Sequence, residues 1–202
     1  MKVCFVTDEY AHDDFPNTGG IGIFLKNLSV ALSKDDIEVY VLGFNKKNKK
    51  YKYKNLTIET FNLGWIEYVD ILIKKIQNRK NLDWITKCLC QIYLRAIASK
   101  VKKHAIKYNI DIIEFNDYMG FSSFVEKSER YKIIIRLHGS KTVLDRIYKR
   151  RVNKAIEYFE QKAILNADLI IAVSEFAKKE ALTSFDINSK IEVCYNGVNN
   201  EE

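Results

Sequence analysis

Short, β-branched apolar runs return along this chain, most of them separated by enough residues to hold a helix. They are VCFVT at 3 to 7, IEVYVL at 37 to 42, LTIETF at 56 to 61, IDIIEF at 110 to 115, KIIIRL at 132 to 137, DLIIAV at 168 to 173 and KIEVCY at 190 to 195. A strand with one wet face alternates apolar and polar residues, so runs this continuous suit strands covered on both faces. Strand and helix signals in alternation define a doubly wound, mainly parallel α/β sheet of about seven strands with helices on both faces.

The intervening segments carry helical spacing. In IGIFLKNLSVALS, residues 21 to 33, Ile21, Phe24, Leu25, Leu28 and Leu32 form one apolar stripe and complete a β-α-β unit. Residues 66 to 108 hold two helical patterns parted around Asn78 to Asp83, and residues 142 to 166 read as one long helix, basic and then apolar. Ser174 before EFAKKEAL is the residue type that caps a helix start, its hydroxyl accepting an orphan amide.

With 202 residues, 47% of them apolar, the chain has material for a sizeable core, and no segment repeats. Residues 1–195 are expected to form one Rossmann-like domain. The opening MKVCFVTDEY turns acidic after a few apolar residues, which reads as a strand rather than an export signal. No run approaches the roughly 18 apolar residues of a membrane span, and the expectation is a cytoplasmic protein.

Cys4 and Cys194 fall in strand runs, Cys88 and Cys90 lie two apart on a helix and face different ways, and His12, His104 and His138 are scattered. Reduced thiols and no metal site are expected. The formal charge of +7 gathers in KKNKKYKYK, residues 46 to 54, and between Lys74 and Lys107. No nucleic-acid-binding signature accompanies it. The basic stretch from Ile66 to Lys107, interleaved with apolar residues, suits either contact with anionic lipid or an ordinary helix pair packed on the sheet.

Three loops carry chemistry. The first, DEYAHDDFPNTGGIG, runs from Asp8 to Gly22 between the first strand and the first helix. Gly19, Gly20 and Gly22 let a ligand approach the backbone, and the helix start offers free amides to an anion such as a phosphate. The spacing is neither GxGxxG nor a Walker loop, and the cluster by itself equally fits a tight turn. The second is RLHGS, which puts His138 at a strand end, where an imidazole hydrogen-bonds a sugar hydroxyl or simply a structural partner. IEFNDYMG brings Glu114, Asn116 and Asp117 to the same edge, as site residues or as caps. Convergence of all three on one edge is what a ligand crevice requires.

Taken in order, these segments resemble glycosyltransferase family 4. MKVCFVTDEY with GGIGIFLKNLSVALS looks like that family's opening strand, GG loop and helix. IDIIEFNDYMG is similar to its "DIIH.HD" strand end, RLHG to "T.HG", DLIIAVSEFAKKE to "AD.IIAVS.F.K", and YNGVN to the "PNGVD" linker. The resemblance implies one half of a GT-B fold, in an enzyme that moves a sugar from a nucleotide-diphosphate sugar to a glycan or lipid-linked acceptor. It further implies retention of anomeric configuration and no bound metal or other cofactor, the sugar nucleotide being a co-substrate. Bacterial surface polysaccharide assembly is the family's common employment.

By the same resemblance, Gly19, Gly20 and Gly22 form the donor diphosphate and acceptor loop. His138 contacts the donor sugar near the reacting carbon, and His138 with Asp117 makes up the catalytic set. Asp8, Glu114 and Asn116 are acceptor-side candidates, Asn116 departing from the commonest family pattern. Asn196 and Gly197 open an interdomain linker, 196–202, in which Tyr195 precedes the Asn-Gly pair where the family has Pro. The family's donor-binding domain is expected after Asn199, in cis or trans, and the chain without it is expected to be inactive. Two other readings of the residues are a stand-alone module binding a phosphorylated metabolite or nucleotide, and a remnant without activity.

Overall fold

In the computed structural model, residues 1–15 and 18–197 are described. The sheet is built from β1 (Lys2–Val6), β2 (Glu38–Phe44), β3 (Lys49–Tyr53), β4 (Leu56–Phe61), β5 (Ile112–Asn116), β6 (Lys132–Leu137), β7 (Leu169–Ala172) and β8 (Ile191–Val193). The helices are α1 (Gly20–Lys34), α2 (Ile66–Ile76), α3 (Asp83–Tyr108), α4 (Lys141–Ile147), α5 (Lys154–Leu165) and α6 (Glu175–Ser184). The strands lie in the order β3-β4-β2-β1-β5-β6-β7-β8, and every pair is parallel except β3 with β4. Each apolar run of the sequence becomes a strand, and the sheet gains an eighth.

The additional strand is β3, in the middle of the basic stretch. KKYKY pairs antiparallel with β4 through a two-residue turn at Lys54 and Asn55, Lys54 having φ of +53°. It is mostly exposed and closes the sheet with lysines. An edge strand presents unpaired amides and carbonyls, and lysine side chains discourage another strand from adding there.

Alternate residues of β1 and β2 feed two cores. Val3, Phe5, Val39 and Val41 meet Leu25 of α1 on one face. Cys4, Val6, Tyr40 and Leu42 meet Ile73 of α2 and Leu94 and Ile97 of α3 on the other. α2 and α3 pack together with Ile66, Val69, Ile73 and Ile76 buried, the arrangement expected of a helix pair lying on the sheet.

The single helix expected over 142 to 166 is corrected to two. Lys149, just after α4, adopts a left-handed φ of +52°. Asn153 then caps α5, its Oδ1 accepting from the Ala155 and Ile156 amides at 2.9 and 3.2 Å. Asn153 Nδ2 and Arg151 also donate to the Gln77 carbonyl, and Arg151 pairs with Asp83. These long-range bonds pull the 148 to 153 segment onto the junction of α2 and α3, which overrides its helical pattern. Ser174 does cap α6, accepting from Ala177 N at 3.1 Å. Cys194 lies just beyond β8 rather than within a strand, although its amide still bonds the Ala172 carbonyl at 2.9 Å.

Candidate functional site

The chain leaves β1 towards β2 and returns, after α3, to β5 on the other flank of β1. Connections that diverge on either side of a strand leave a crevice beyond the strands' carboxyl ends, and ligands of open α/β sheets settle there. A cavity of about 330 Å³ occupies this position. Asp8 follows β1, Asn45 and Lys46 follow β2, Leu63 follows β4, and Tyr118 and Met119 follow β5; α2 supplies Glu67, Asp70, Ile71 and Lys74.

Asp8 is thus a cavity residue. Burial pushes its carboxyl up to about 6, with the neighbouring Glu9 charge adding to the shift and Lys74 opposing it. Across the cavity, Asp70 and Lys74 form an ion pair at 2.6 Å along one face of α2. The Glu67 Oε1 atom is buried and has no hydrogen-bond partner among the described residues. Sequence reading did not single out Glu67, Asp70 or Lys74, since their spacing on α2 is also that of any solvated helix face.

The glycine loop starts at the cavity with Asp8 and leads into α1, with Pro16 and Asn17 outside the described residues. It is tied down before the glycines by Asp14, which pairs with Lys49 of β3 at 2.5 Å, and by the His12 ring against Tyr51. Gly19 is the N-cap, where a Cβ would come within 2.5 Å of the Glu9 carboxylate. At Gly22 a Cβ would meet the Tyr10 amide at 3.0 Å, so this glycine lets α1 close onto residues 9 and 10. Gly20 is different: among the described residues nothing lies within 4 Å of a Cβ placed there. Packing does not demand glycine at that position.

His138 stands two strands away yet meets the same helix. Its ring packs edge-on against Phe24, one turn into α1, with centroids 5.2 Å apart. The glycine-bearing helix start and the imidazole therefore share one end of the sheet. Burial, aided by the nearby Arg136 charge, lowers the His138 imidazole to about 4, so it is neutral at physiological pH.

Asp117 is buried, and its two oxygens accept the His138 and Gly139 amides at 3.0 and 3.1 Å. The carboxylate thereby fixes the loop that carries the imidazole. Burial raises it to about 6, against the pull of those amides. Asn116 spends its Oδ1 on the Tyr118 amide, closing a local turn. Glu114, expected among the acceptor-side candidates, is committed to Arg136 through two bonds of 2.6 and 3.1 Å beneath Phe24 and does not line the cavity. Asn196 and Gly197 are exposed beyond β8, and residues 198–202 lie outside the described residues.

One organiser had no sequence signal. Glu160 of α5 is fully buried and accepts the amides of Met119, Lys141 and Thr142 at 2.9 to 3.0 Å. It joins the loop after β5 to the start of α4, just beyond His138. Burial raises this carboxyl to about 7.

A mainly parallel sheet with helices on both faces, whose glycine-bearing first helix and imidazole meet at one end of the strands, is a Rossmann-like half of the GT-B kind. A family model described as Glycosyltransferase Family 4 matches residues 18–202. The chain belongs to glycosyltransferase family 4. A search of curated proteins by sequence returned no match. Among solved structures, a sucrose-phosphate synthase from Thermosynechococcus elongatus superposes with a TM-score of 0.70 at 14% identity, over 98% of this chain and 48% of that one. The E. coli trehalose-6-phosphate protein bound with UDP-2-fluoro glucose gives 0.60 at 17% identity, over 98% and 49%. The catalytic domain of starch synthase IV from Arabidopsis thaliana, bound to ADP and acarbose, gives 0.53 at 12%, over 98% and 51%. At such identities the likeness concerns the fold, and the chain spans about half the length of each.

Proposed function

We propose that the chain is the acceptor-side half of a retaining, metal-independent glycosyltransferase. A donor-binding domain, joined through a linker opening at Asn196 and Gly197 or supplied in trans, completes the cleft. The reaction moves a sugar from a nucleotide-diphosphate sugar to a glycan or lipid-linked acceptor, and the chain alone turns over no substrate. The observation that carries this reading is the packing of His138 on Phe24 of α1, ring centroids 5.2 Å apart, which brings the imidazole and the glycine-bearing helix to the strand ends that Asp8 also follows.

In this reading the free amides at the start of α1 face the donor diphosphate, and the open space at Gly20 admits it. The neutral His138 imidazole hydrogen-bonds the donor sugar beside the reacting carbon, without the repulsion an imidazolium would bring to the developing positive charge there. Asp117 is a positioning residue, acting on His138 through the loop amides. Asp8 contacts the acceptor. The test is to combine the chain with a family 4 donor-binding domain, in cis or in trans, and assay a panel of sugar nucleotides and acceptors. Transfer should appear only with both parts present and should fall at least about a hundredfold in His138→Ala, on the scale of losing a transition-state hydrogen bond. No transfer across a broad panel refutes the proposal.

Contact with an anionic membrane belongs to the same proposal. Beside the buried face of α2, Trp65, Tyr68, Ile71 and Leu72 are exposed, Tyr68 by 75%, with Lys75, Arg79 and Lys80 close by in sequence. Among the described residues no helix is long and apolar enough to cross a membrane. An apolar patch flanked by bases suits the interface of an acidic bilayer. Salt-sensitive cosedimentation with phosphatidylglycerol vesicles, weakened in the Trp65→Ser, Tyr68→Ser double variant, is the expected result. Equal pelleting with neutral vesicles contradicts it.

A further inference from the structure

We infer that the cavity at the switch point selects its acceptor by charge, preferring an amino sugar to a neutral sugar and a neutral sugar to a sugar phosphate. This rests on the acceptor reading above and names the class of molecule that the site takes.

The lining is lopsided. Three carboxylates, Asp8, Glu67 and Asp70, face the cavity against two ammonium groups, Lys46 and Lys74. Lys74 is already paired with Asp70 at 2.6 Å, and Lys46 sits exposed at the rim. Among the described residues no arginine lines the space, so the bidentate fork that best grips a phosphate is missing from that lining. A phosphate brought in here would face Asp8 and Glu67, and among the described lining residues its cations would be Lys74, already paired with Asp70, and the exposed Lys46.

The unpartnered Glu67 Oε1 says what is wanted instead. A buried carboxylate oxygen without a donor is costly, and a ligand hydroxyl or ammonium offers the missing hydrogen. A fully ionised phosphate has none to give. The remaining wall, from Phe44, Leu63, Ile71 and Phe121, is apolar and suits the C–H face of a sugar ring. Asp8, lifted towards neutral pH by burial, makes the preference pH-dependent: its charge favours an amine above about pH 6 and fades below it.

The test measures binding of glucosamine, glucose and glucose 6-phosphate, with their galacto counterparts, to the 202-residue chain at pH 7 by calorimetry and saturation-transfer NMR. Affinity should fall in that order, with at least about tenfold between amine and phosphate, the scale of exchanging attraction for like-charge repulsion in a partly buried site. Glu67→Gln and Asp8→Asn should each reduce the amine's advantage at least about threefold while leaving the thermal midpoint within the range of surface substitutions. If either variant fails to fold, Asp70→Asn provides the same charge change at the cavity wall.

Equal or tighter binding of the phosphate overturns the inference, and so does absence of binding by every sugar or an unchanged preference in the variants. Failure of the functional proposal is read separately, with the donor-binding domain added. Transfer onto phosphorylated acceptors alone would sink the charge preference and leave the transferase reading standing. Absence of transfer to any acceptor would count against the transferase reading, while the binding order still decides the preference.

Discussion

Replacing Gly20 with alanine separates two reasons a glycine can stand at a helix start. Gly20 is the first residue of α1, in a backbone that any residue adopts, and a Cβ there meets none of the described atoms within 4 Å. Alanine is the better helix former by about 1 kcal/mol in a helix interior, and about half of that is reasonable at the first turn. Gly20→Ala is therefore expected to raise stability by about 0.5 kcal/mol, a Tm increase of roughly 1–2 °C for a chain of this size. Gly22→Ala is the contrast: its Cβ would press on the Tyr10 amide at 3.0 Å and the Glu9 carbonyl carbon at 3.2 Å. Backbone must move to admit it, at a cost of about 1–3 kcal/mol. Urea unfolding followed by circular dichroism measures both. If Gly20 is kept open for the donor diphosphate, Gly20→Ala folds at least as well as the parent yet loses at least about tenfold in transfer once the donor-binding domain is present, because the methyl group occupies the ligand's space. A Gly20→Ala chain that is destabilised by more than about 1 kcal/mol refutes the structural step. One that is stable and transfers normally refutes the functional step.

Glu160→Ala orphans three buried amides at Met119, Lys141 and Thr142, and chemical denaturation should show a loss of about 3–5 kcal/mol. The His138 imidazole should titrate near pH 4 rather than at its ordinary 6.5, read from its ring carbon protons by NMR. Since the unfolded chain takes up that proton first, the neutral ring contributes fully above pH 6.5, and its contribution falls away as the pH drops towards 4. The stability difference between parent and His138→Gln should accordingly shift by about 2 kcal/mol against the parent between pH 7 and pH 5. Asn153→Ala removes the cap of α5 and the bond to the Gln77 carbonyl, and about 1–2 kcal/mol of stability should go with it, measured by urea unfolding.

Much of this chain can be read locally because its strongest signals are local. KIIIRL is a strand at the same residues in sequence and structure, and LTIETF likewise, since a strand covered on both faces needs an unbroken apolar run. The α2 and α3 pair and the Ser174 cap follow from spacing and from one hydroxyl. β3 escaped because an edge strand is selected to look unlike a core strand, and its lysines read as a solvated charge cluster. The break between α4 and α5 escaped because it is made by bonds from Arg151 and Asn153 to Gln77, more than seventy residues earlier.

The amino-acid sequence by itself determined the parallel sheet, the family pattern and the loops that gather at one edge, because backbone preference and apolar periodicity act within a few residues. Only the tertiary structure decided what the polar side chains do there. It turned Glu114 under α1 onto Arg136, put Asp117 and Glu160 onto backbone amides, and brought Asp8 together with Glu67 and Asp70 around a cavity. A buried carboxylate takes whichever donors the packing leaves within reach, and those donors come from elements far apart in the chain.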